Sequence, residues 1–237
     1  MEVRSRCIAL RSIKFKDKKS IATLFVRELG RVSFVVGDGP SRESRRRRAL
    51  MQPGSSFDCV IDHRENRSLQ TFRDLLPVQP VAGENPYKQQ VAVFVADFLY
   101  SFLNDAPADA LLFDYVERFL RFVLSTRRPL ANAPVCFMLG IQRIAGIEPD
   151  LSTFTPGCCF DMTNGVFRLV PSPVGLSLDP VETAAIPTLL RMNQRNMHLY
   201  RYSHEERARQ LDLLLDYFNI HFGRLQGLRS LDILRML

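Results

Sequence analysis

The hydrophobic period of this chain changes once, across residues 77–86. Before that point, apolar residues come in short, loosely alternating runs separated by turn residues. After it, they recur at spacings of three and four. Strands gathered first and helices afterwards imply an α+β chain, not a parallel α/β sheet. The segment itself, Pro77-Val78-Gln79-Pro80-Val81-Ala82-Gly83-Glu84-Asn85-Pro86, holds three prolines and reads as a linker. The expected organisation is therefore a β domain over residues 1–80 and an all-helical domain over residues 81–237.

Within the first domain, residues 3–13 read as a strand and residues 14–19 as a charged turn carrying four lysines. Residues 21–29 alternate, Gly30 permits a tight turn, and residues 31–36 alternate again, so 21–36 reads as a β-hairpin. Gly37-Asp38-Gly39-Pro40 ends it. Ser41-Arg42-Glu43-Ser44-Arg45-Arg46-Arg47-Arg48 follows, with five arginines in eight residues, and reads as a basic loop that orders on its ligand. Residues 57–61 and 69–76 supply two more strands around the turn His63-Arg64-Glu65-Asn66. Five short strands in this length predict a five-stranded OB-fold barrel, with an SH3-like barrel as the alternative.

In the second domain, Val91, Val95, Phe98 and Phe102 lie at helical spacing, as do Leu112, Val116, Phe119 and Val123. A third helix is expected over 134–145, ended by Gly146. Residues 148–178 show no period. Asp179-Pro180-Val181-Glu182 has the pattern of a capped helix start. Ser203-His204-Glu205-Glu206 is a capping box that opens a helix striped by Leu211, Leu214, Leu215 and Phe218. A short helix over 228–236 is expected last.

The charge is unevenly placed. Residues 1–80 hold 17 Lys/Arg against 9 Asp/Glu, a net of +8, whereas residues 81–237 hold 15 against 16, a net of −1. Solubility alone does not need that asymmetry, and a concentrated positive field draws polyanions. No apolar run reaches membrane-span length, and no signal-peptide pattern precedes the first charges, so the expected location is the cytoplasm, in association with the nucleoid. The five cysteines, Cys7, Cys59, Cys136, Cys158 and Cys159, are odd in number and lie in apolar surroundings, which fits reduced thiols. Cys158 and Cys159 are adjacent, whereas structural zinc sites space their pairs, and no histidine stands at ligand spacing; no metal is expected. No nucleophile, phosphate-loop or metalloprotease motif is present, Asp212 and Asp216 read as solvated charges on their helix, and neither an enzymatic activity nor a cofactor is expected.

Nucleic-acid binding remains. Lys14, Lys16, Lys18, Lys19, Arg27, Arg31, Arg42, Arg45, Arg46, Arg47 and Arg48 are the candidate phosphate contacts. The aromatics of this region, Phe15, Phe25, Phe34, Phe57 and Phe72, read mostly as core, so a backbone-tracking, sequence-tolerant mode is expected. In the helical domain Tyr115, Arg118, Phe119, Arg121, Phe122, Arg127 and Arg128 interleave aromatic and basic residues. That pattern fits either a core stripe with solvated arginines or a groove for an acidic, hydrophobic peptide.

The order of these features resembles the RecO family of bacterial recombination mediators. The matching stretches are Cys7-Ile8-Ala9-Leu10-Arg11, Leu24-Phe25-Val26-Arg27-Glu28-Leu29-Gly30-Arg31-Val32, the basic segment, and Met51-Gln52-Pro53. They continue through Leu111-Leu112-Phe113-Asp114-Tyr115-Val116, Phe137-Met138-Leu139-Gly140 and Leu213-Leu214-Leu215-Asp216-Tyr217-Phe218-Asn219-Ile220-His221, in the form found in Bacteroidetes-type members. The resemblance implies an OB-fold followed by a helical domain, binding of single- and double-stranded DNA, and annealing of complementary strands. It also implies work with RecR and often RecF, contact with the C-terminal tail of single-stranded DNA-binding protein (SSB), and help in loading RecA. It maps the family's basic barrel loop onto Arg42 and Arg45 to Arg48, and its basic hairpin positions onto Arg27 and Arg31. The four-cysteine zinc site of some members is not implied, because one cysteine pair is missing. An RNA-binding or ribosome-associated OB protein and a protein-binding scaffold are the competing readings of the same residues.

Overall fold

A computed structural model of the chain describes residues 1–78, 85–103 and 107–223, with Leu225, Leu228, Ser230 and Leu231. Most of the expected linker and of the expected C-terminal helix lies outside the described residues. The chain forms two compact units: residues 1–127 with Leu228, Ser230 and Leu231, and residues 128–225.

The first unit is built on β1 (Glu2–Lys16), β2 (Lys19–Val26), β3 (Gly30–Gly37), β4 (Ser56–Asp62) and β5 (Thr71–Pro77). The sheet order is β3-β2-β1-β4-β5, all pairs antiparallel. Closure comes from β3 meeting the residue just before β5, at a parallel bridge between Phe34 and Gln70, with the Val35 amide donating to the Gln70 carbonyl at 3.1 Å and the Gln70 amide to the Ser33 carbonyl at 2.8 Å. This closed five-stranded order is the OB arrangement, and the SH3-like alternative falls with it. Gly30, at φ 74°, makes the β2–β3 turn that its sequence context predicts.

The expected lysine turn shrinks to Asp17 and Lys18, because Lys14 and Lys16 already pair across the ladder with Ser20 and Lys19. The larger correction concerns the arginine run. It is not a loop but a helix, α1 (Arg42–Leu50), placed between β3 and β4. Ser41 caps it, its hydroxyl accepting from the Ser44 amide at 3.1 Å. Glu43 lies in the first turn and Arg47 and Arg48 in the last, the order a helix dipole favours, and Arg47 pairs with Glu43 one turn away. Leu50 and Met51 insert into the barrel core beside Cys7, Ala9, Leu24, Phe34, Phe57 and Ile61. The helix is thus polar along its length and fixed by an apolar end.

Four consecutive residues of β1, Cys7 to Leu10, are buried. Alternation sends Cys7 and Ala9 into the barrel, so Ile8 and Leu10 must be covered from outside. The cover is helical: α2 (Pro86–Phe102), capped by Asn85, packs on β1, and α3 (Ala110–Ser125), capped by Asp109, packs on α2. Phe25, facing out from β2, meets Phe113 of α3 edge-on at 5.1 Å. The change of period near residue 80 therefore separates strands from helices, while packing gathers the first two helices with the barrel. At Gly54 the backbone after α1 runs so close to α2 that an added Cβ would stand 2.8 Å from the Ala92 Cβ, at a φ of 81°. Gly54→Ala is expected to destabilise this unit by about 2–4 kcal/mol, from left-handed backbone strain plus overpacking. An unchanged denaturation midpoint would contradict that.

The second unit holds α4 (Ala133–Ile144), buried on nearly every side, against α7 (His204–Phe222). Ser203 and Glu206 form the expected capping box, and Gly223 ends α7 at φ 65°. Gly146 follows α4 at φ 70°, and Asp179 caps the short α5 (Pro180–Thr183), as their patterns predict. The five-residue α6 (Ile186–Leu190) follows. The aperiodic stretch contains a small sheet, β6 (Cys159–Asp161), β7 (Val166–Arg168) and β8 (Ser177–Leu178), in the order β7-β6-β8. Phe154, Phe160, Phe167 and Tyr217 cluster over it, with ring centroids 4.9–5.6 Å apart.

Buried Asp161 organises that sheet. It accepts from the amides of Thr163 and Asn164, both at 3.1 Å, from the Asn164 side chain at 2.8 Å and from Arg168 Nε at 3.1 Å. Burial opposes its ionisation, but the Asn164, Thr163 and Arg168 hydrogen bonds prevail and hold the carboxyl below its usual value. A depressed folded-state value gives stability that is fully present above the unfolded value, about 3.9, and is lost as pH falls through the folded one. Asp161→Asn should therefore destabilise this unit at neutral pH by about 1–3 kcal/mol and flatten its acid limb below about pH 4. An acid limb with the wild-type slope would contradict this.

Candidate nucleic-acid interface

The two basic stretches of the first unit meet at one groove. Its volume is about 660 Å³, and its lining includes Arg11, Lys14 and Ser20 from the β1–β2 hairpin, Asp38 after β3, Arg48 and Met51 at the end of α1, and Tyr100 from α2. Asp38 ties the stretches together. Its carboxylate accepts from the Ser20 hydroxyl at 2.7 Å and from Arg48 at 3.3 Å, and its amide donates to the Lys18 carbonyl at 2.8 Å. The hairpin and α1 are thereby held in one local frame by a residue that sequence alone marks only as part of a turn. On the groove wall, the Arg11 guanidinium carbon lies 5.0 Å from the Tyr100 ring centroid, and the Arg31 guanidinium carbon lies 4.3 Å from the same centroid.

The sequence-predicted cations divide into distinct groups. Lys14, Lys16, Lys18 and Lys19 are exposed along the hairpin, and Arg42, Arg45 and Arg46 are exposed on α1. Among the described residues, none of these seven forms an ion pair. Arg47 and Arg48 are partly neutralised by Glu43 and Asp38. Arg27 is committed elsewhere: its Nε and second terminal nitrogen reach the two Asp114 oxygens at 2.8 and 3.1 Å, a bidentate pair that fastens β2 to α3. The hydrogen bond from Arg27 holds Asp114 below the ordinary carboxylate range, and the Arg27 guanidinium is correspondingly raised.

Arg27 also lines a second groove, of about 600 Å³, together with Glu28, Asp58, Asp74, Asp114 and Glu117. Those carboxylates repel phosphate, and Arg27 serves there as a fastener between the end of β2 and α3. Arg6, unremarked in the sequence, does similar work there, bridging Asp58 at 2.8 Å and Glu117 of α3 at 2.9 Å. Arg31 donates to the Tyr100 carbonyl at 3.0 Å, so it too joins the barrel to a helix.

The aromatic–basic set on α3 divides in a similar way. Phe119 is 0% exposed, in the helix's packed face, and cannot wall an open groove. Tyr115 and Phe122 are half-buried. Arg118 donates back to the Asp114 carbonyl at 3.1 Å, and Arg121 lies 3.4 Å from Glu117. Arg127 is exposed at the end of the first unit, whereas Arg128 belongs to the second, where it donates to the Arg195 carbonyl at 3.2 Å.

All five cysteines are free and buried. Cys7 and Cys59 face each other across β1 and β4 with sulfurs 3.5 Å apart, and their mutual hydrogen bond and burial push the Cys7 thiol well up. Burial pushes Cys136 up to about 12. Among the described residues no cluster of histidine, cysteine and carboxylate side chains could hold a metal, and no helix is long and apolar enough to cross a membrane.

Comparison with known proteins agrees with this architecture. Residues 1–81 match the family model described as "Recombination protein O N terminal". The chain is 33% identical to the DNA repair protein RecO of Phocaeicola vulgatus, over 97% of this chain and 96% of that one. It is 30% identical to the RecO of Porphyromonas gingivalis over 100% and 99% of the two chains, and 29% identical to that of Bacteroides fragilis over 97% and 96%. An OB barrel with a basic groove, followed by helices, and likeness along essentially the full length of these relatives lead to one assignment: the chain belongs to the RecO family of DNA repair and recombination proteins.

Proposed function

We propose that this protein is a non-enzymatic recombination mediator that grips DNA through phosphate contacts at the groove between the β1–β2 hairpin and α1. The observation that carries this reading is the lining of one groove by both Lys14 and Arg48, with seven exposed cations that form no ion pair among the described residues on the two elements that supply it. Phosphate contacts are indifferent to sequence, so single and double strands both fit. Annealing follows physically, since cationic side chains reduce the repulsion between two phosphate backbones and let complementary bases meet. No bond is made or broken, and no cofactor is required.

The same reading assigns the protein partners the family resemblance implies: RecR and RecF beside the DNA, the SSB tail as the signal for coated strands, and RecA as the recombinase loaded. Of the residues on α3 and its exit, Tyr115, Arg118, Arg121, Phe122 and Arg127 remain the accessible candidates for an acidic, hydrophobic tail. The test is binding of matched single-stranded DNA and RNA oligonucleotides at low salt, in competition. Tight DNA binding that RNA does not outcompete is expected. A strong RNA preference favours the ribosome-associated reading, and no binding of either favours the protein scaffold.

A further inference from the structure

Phe15 is the aromatic residue of the β1–β2 hairpin that the barrel does not use. Phe25, Phe34 and Phe57 are 0% exposed, and Phe72 packs between Phe34 and Phe57 at 5.2 and 6.3 Å. Phe15, by contrast, is 49% exposed. Its backbone setting explains why. Lys14 stands opposite Ser20 and Lys16 opposite Lys19, so β1 carries one residue more than β2 and Phe15 is the extra one. Such a bulge frees a side chain from the pleat and re-aims it, and bulges are enriched beside functional sites. Leaving half of a phenyl ring in water forgoes burial energy, and charge stands beside it: the Lys16 ammonium is 5.4 Å from the ring centroid, and Lys14, Lys18 and Lys19 are exposed on the same hairpin.

A flat apolar face set among unpaired cations has a matching ligand. Cations hold a polyanionic backbone, and the ring offers a surface to a flat, weakly hydrated group attached to it. In a duplex the bases are already stacked on each other; in a single strand their faces are free. We propose that Phe15 is a base-stacking residue of the nucleic-acid interface, taking an unpaired nucleobase of single-stranded DNA on its ring while the hairpin lysines hold the flanking phosphates. This rests on the DNA-binding reading above and adds to it a residue that discriminates single strands from duplex.

The experiment uses the full chain with two single-stranded oligonucleotides of equal length, one bearing bases and one a continuous abasic backbone, plus a duplex. Phe15→Ala should lower affinity for the base-bearing strand about tenfold, leave the abasic strand and the duplex unchanged, and keep the wild-type salt slope. Phe15→Trp should restore or tighten the base-bearing complex, which separates stacking from any effect on folding. Equal affinity of Phe15→Ala and wild type for the base-bearing strand would overturn the proposal and leave the ring to a protein contact. So would an equal loss on the abasic strand, since no base is there to stack. If wild type binds none of the strands at low salt, the DNA reading fails and this inference with it; if wild type binds the abasic strand and Phe15→Ala changes nothing, only this inference fails.

Discussion

Replacing Arg42, Arg45 and Arg46 together by alanine is expected to weaken single-stranded DNA binding about 100-fold near 0.1 M salt. Each phosphate contact on a single strand releases about 0.7 of a counterion, so at that salt three lost contacts multiply to roughly two decades. These three are chosen because they are exposed on α1 and, among the described residues, form no ion pair, whereas Arg47 and Arg48 are held by Glu43 and Asp38. The folded state should not suffer. Alanine exceeds arginine in helix propensity, and the capping Ser41, Glu43 and the Leu50–Met51 anchor all remain. Arg47→Ala alone, with its charge already met by Glu43, should cost clearly less than the roughly fivefold that each of those three contributes. Fluorescence anisotropy on a short oligonucleotide measures both. A loss of roughly fivefold or more from Arg47→Ala would contradict the division between free and paired arginines.

The second large effect concerns the anchor. Leu50→Ala should destabilise the first unit by about 3 kcal/mol, since the side chain is buried among the barrel core at the end of α1 and its removal leaves a cavity. Its effect on DNA should be of another kind. No charge is removed, so the salt slope should keep its wild-type value while affinity falls a few-fold through a less firmly seated helix. Denaturant unfolding and salt titration of the same sample separate the two. A large change of slope with little change in stability would show that α1 is not anchored through Leu50.

The parts of the fold that sequence reading recovers are those in which local chemistry and tertiary structure agree. Alternation around Gly30 marks the hairpin, and Ser203 with Glu206 marks the start of α7. The capping signal at Ser41 was equally present, with Glu43 and Arg47 at helical spacing. Five arginines in one run read as a ligand-binding loop instead, because the stabilising residues, Leu50 and Met51, lie just past the run. Strands β6, β7 and β8 have two or three residues each, too few to express a period.

At the site, the exposed lysines and arginines were legible as composition, but their partners were not. Asp114 lies 87 residues from Arg27, and nothing local announces that this arginine is already paired. Asp38, which joins hairpin to helix, looked like any turn aspartate. Sequence does not set Phe15 apart from aromatics that read mostly as core, because a bulge is a property of two strands' register and one strand's sequence does not show it.

The central claim is an electrostatic grip made by the seven exposed cations of the hairpin and α1 that form no ion pair among the described residues. The most direct measurement is the slope of log affinity against log salt for the wild-type protein on a single strand. If the seven engage, the slope should lie near −5, from about 0.7 per contact. A slope near zero, or no binding at low salt, would contradict the account.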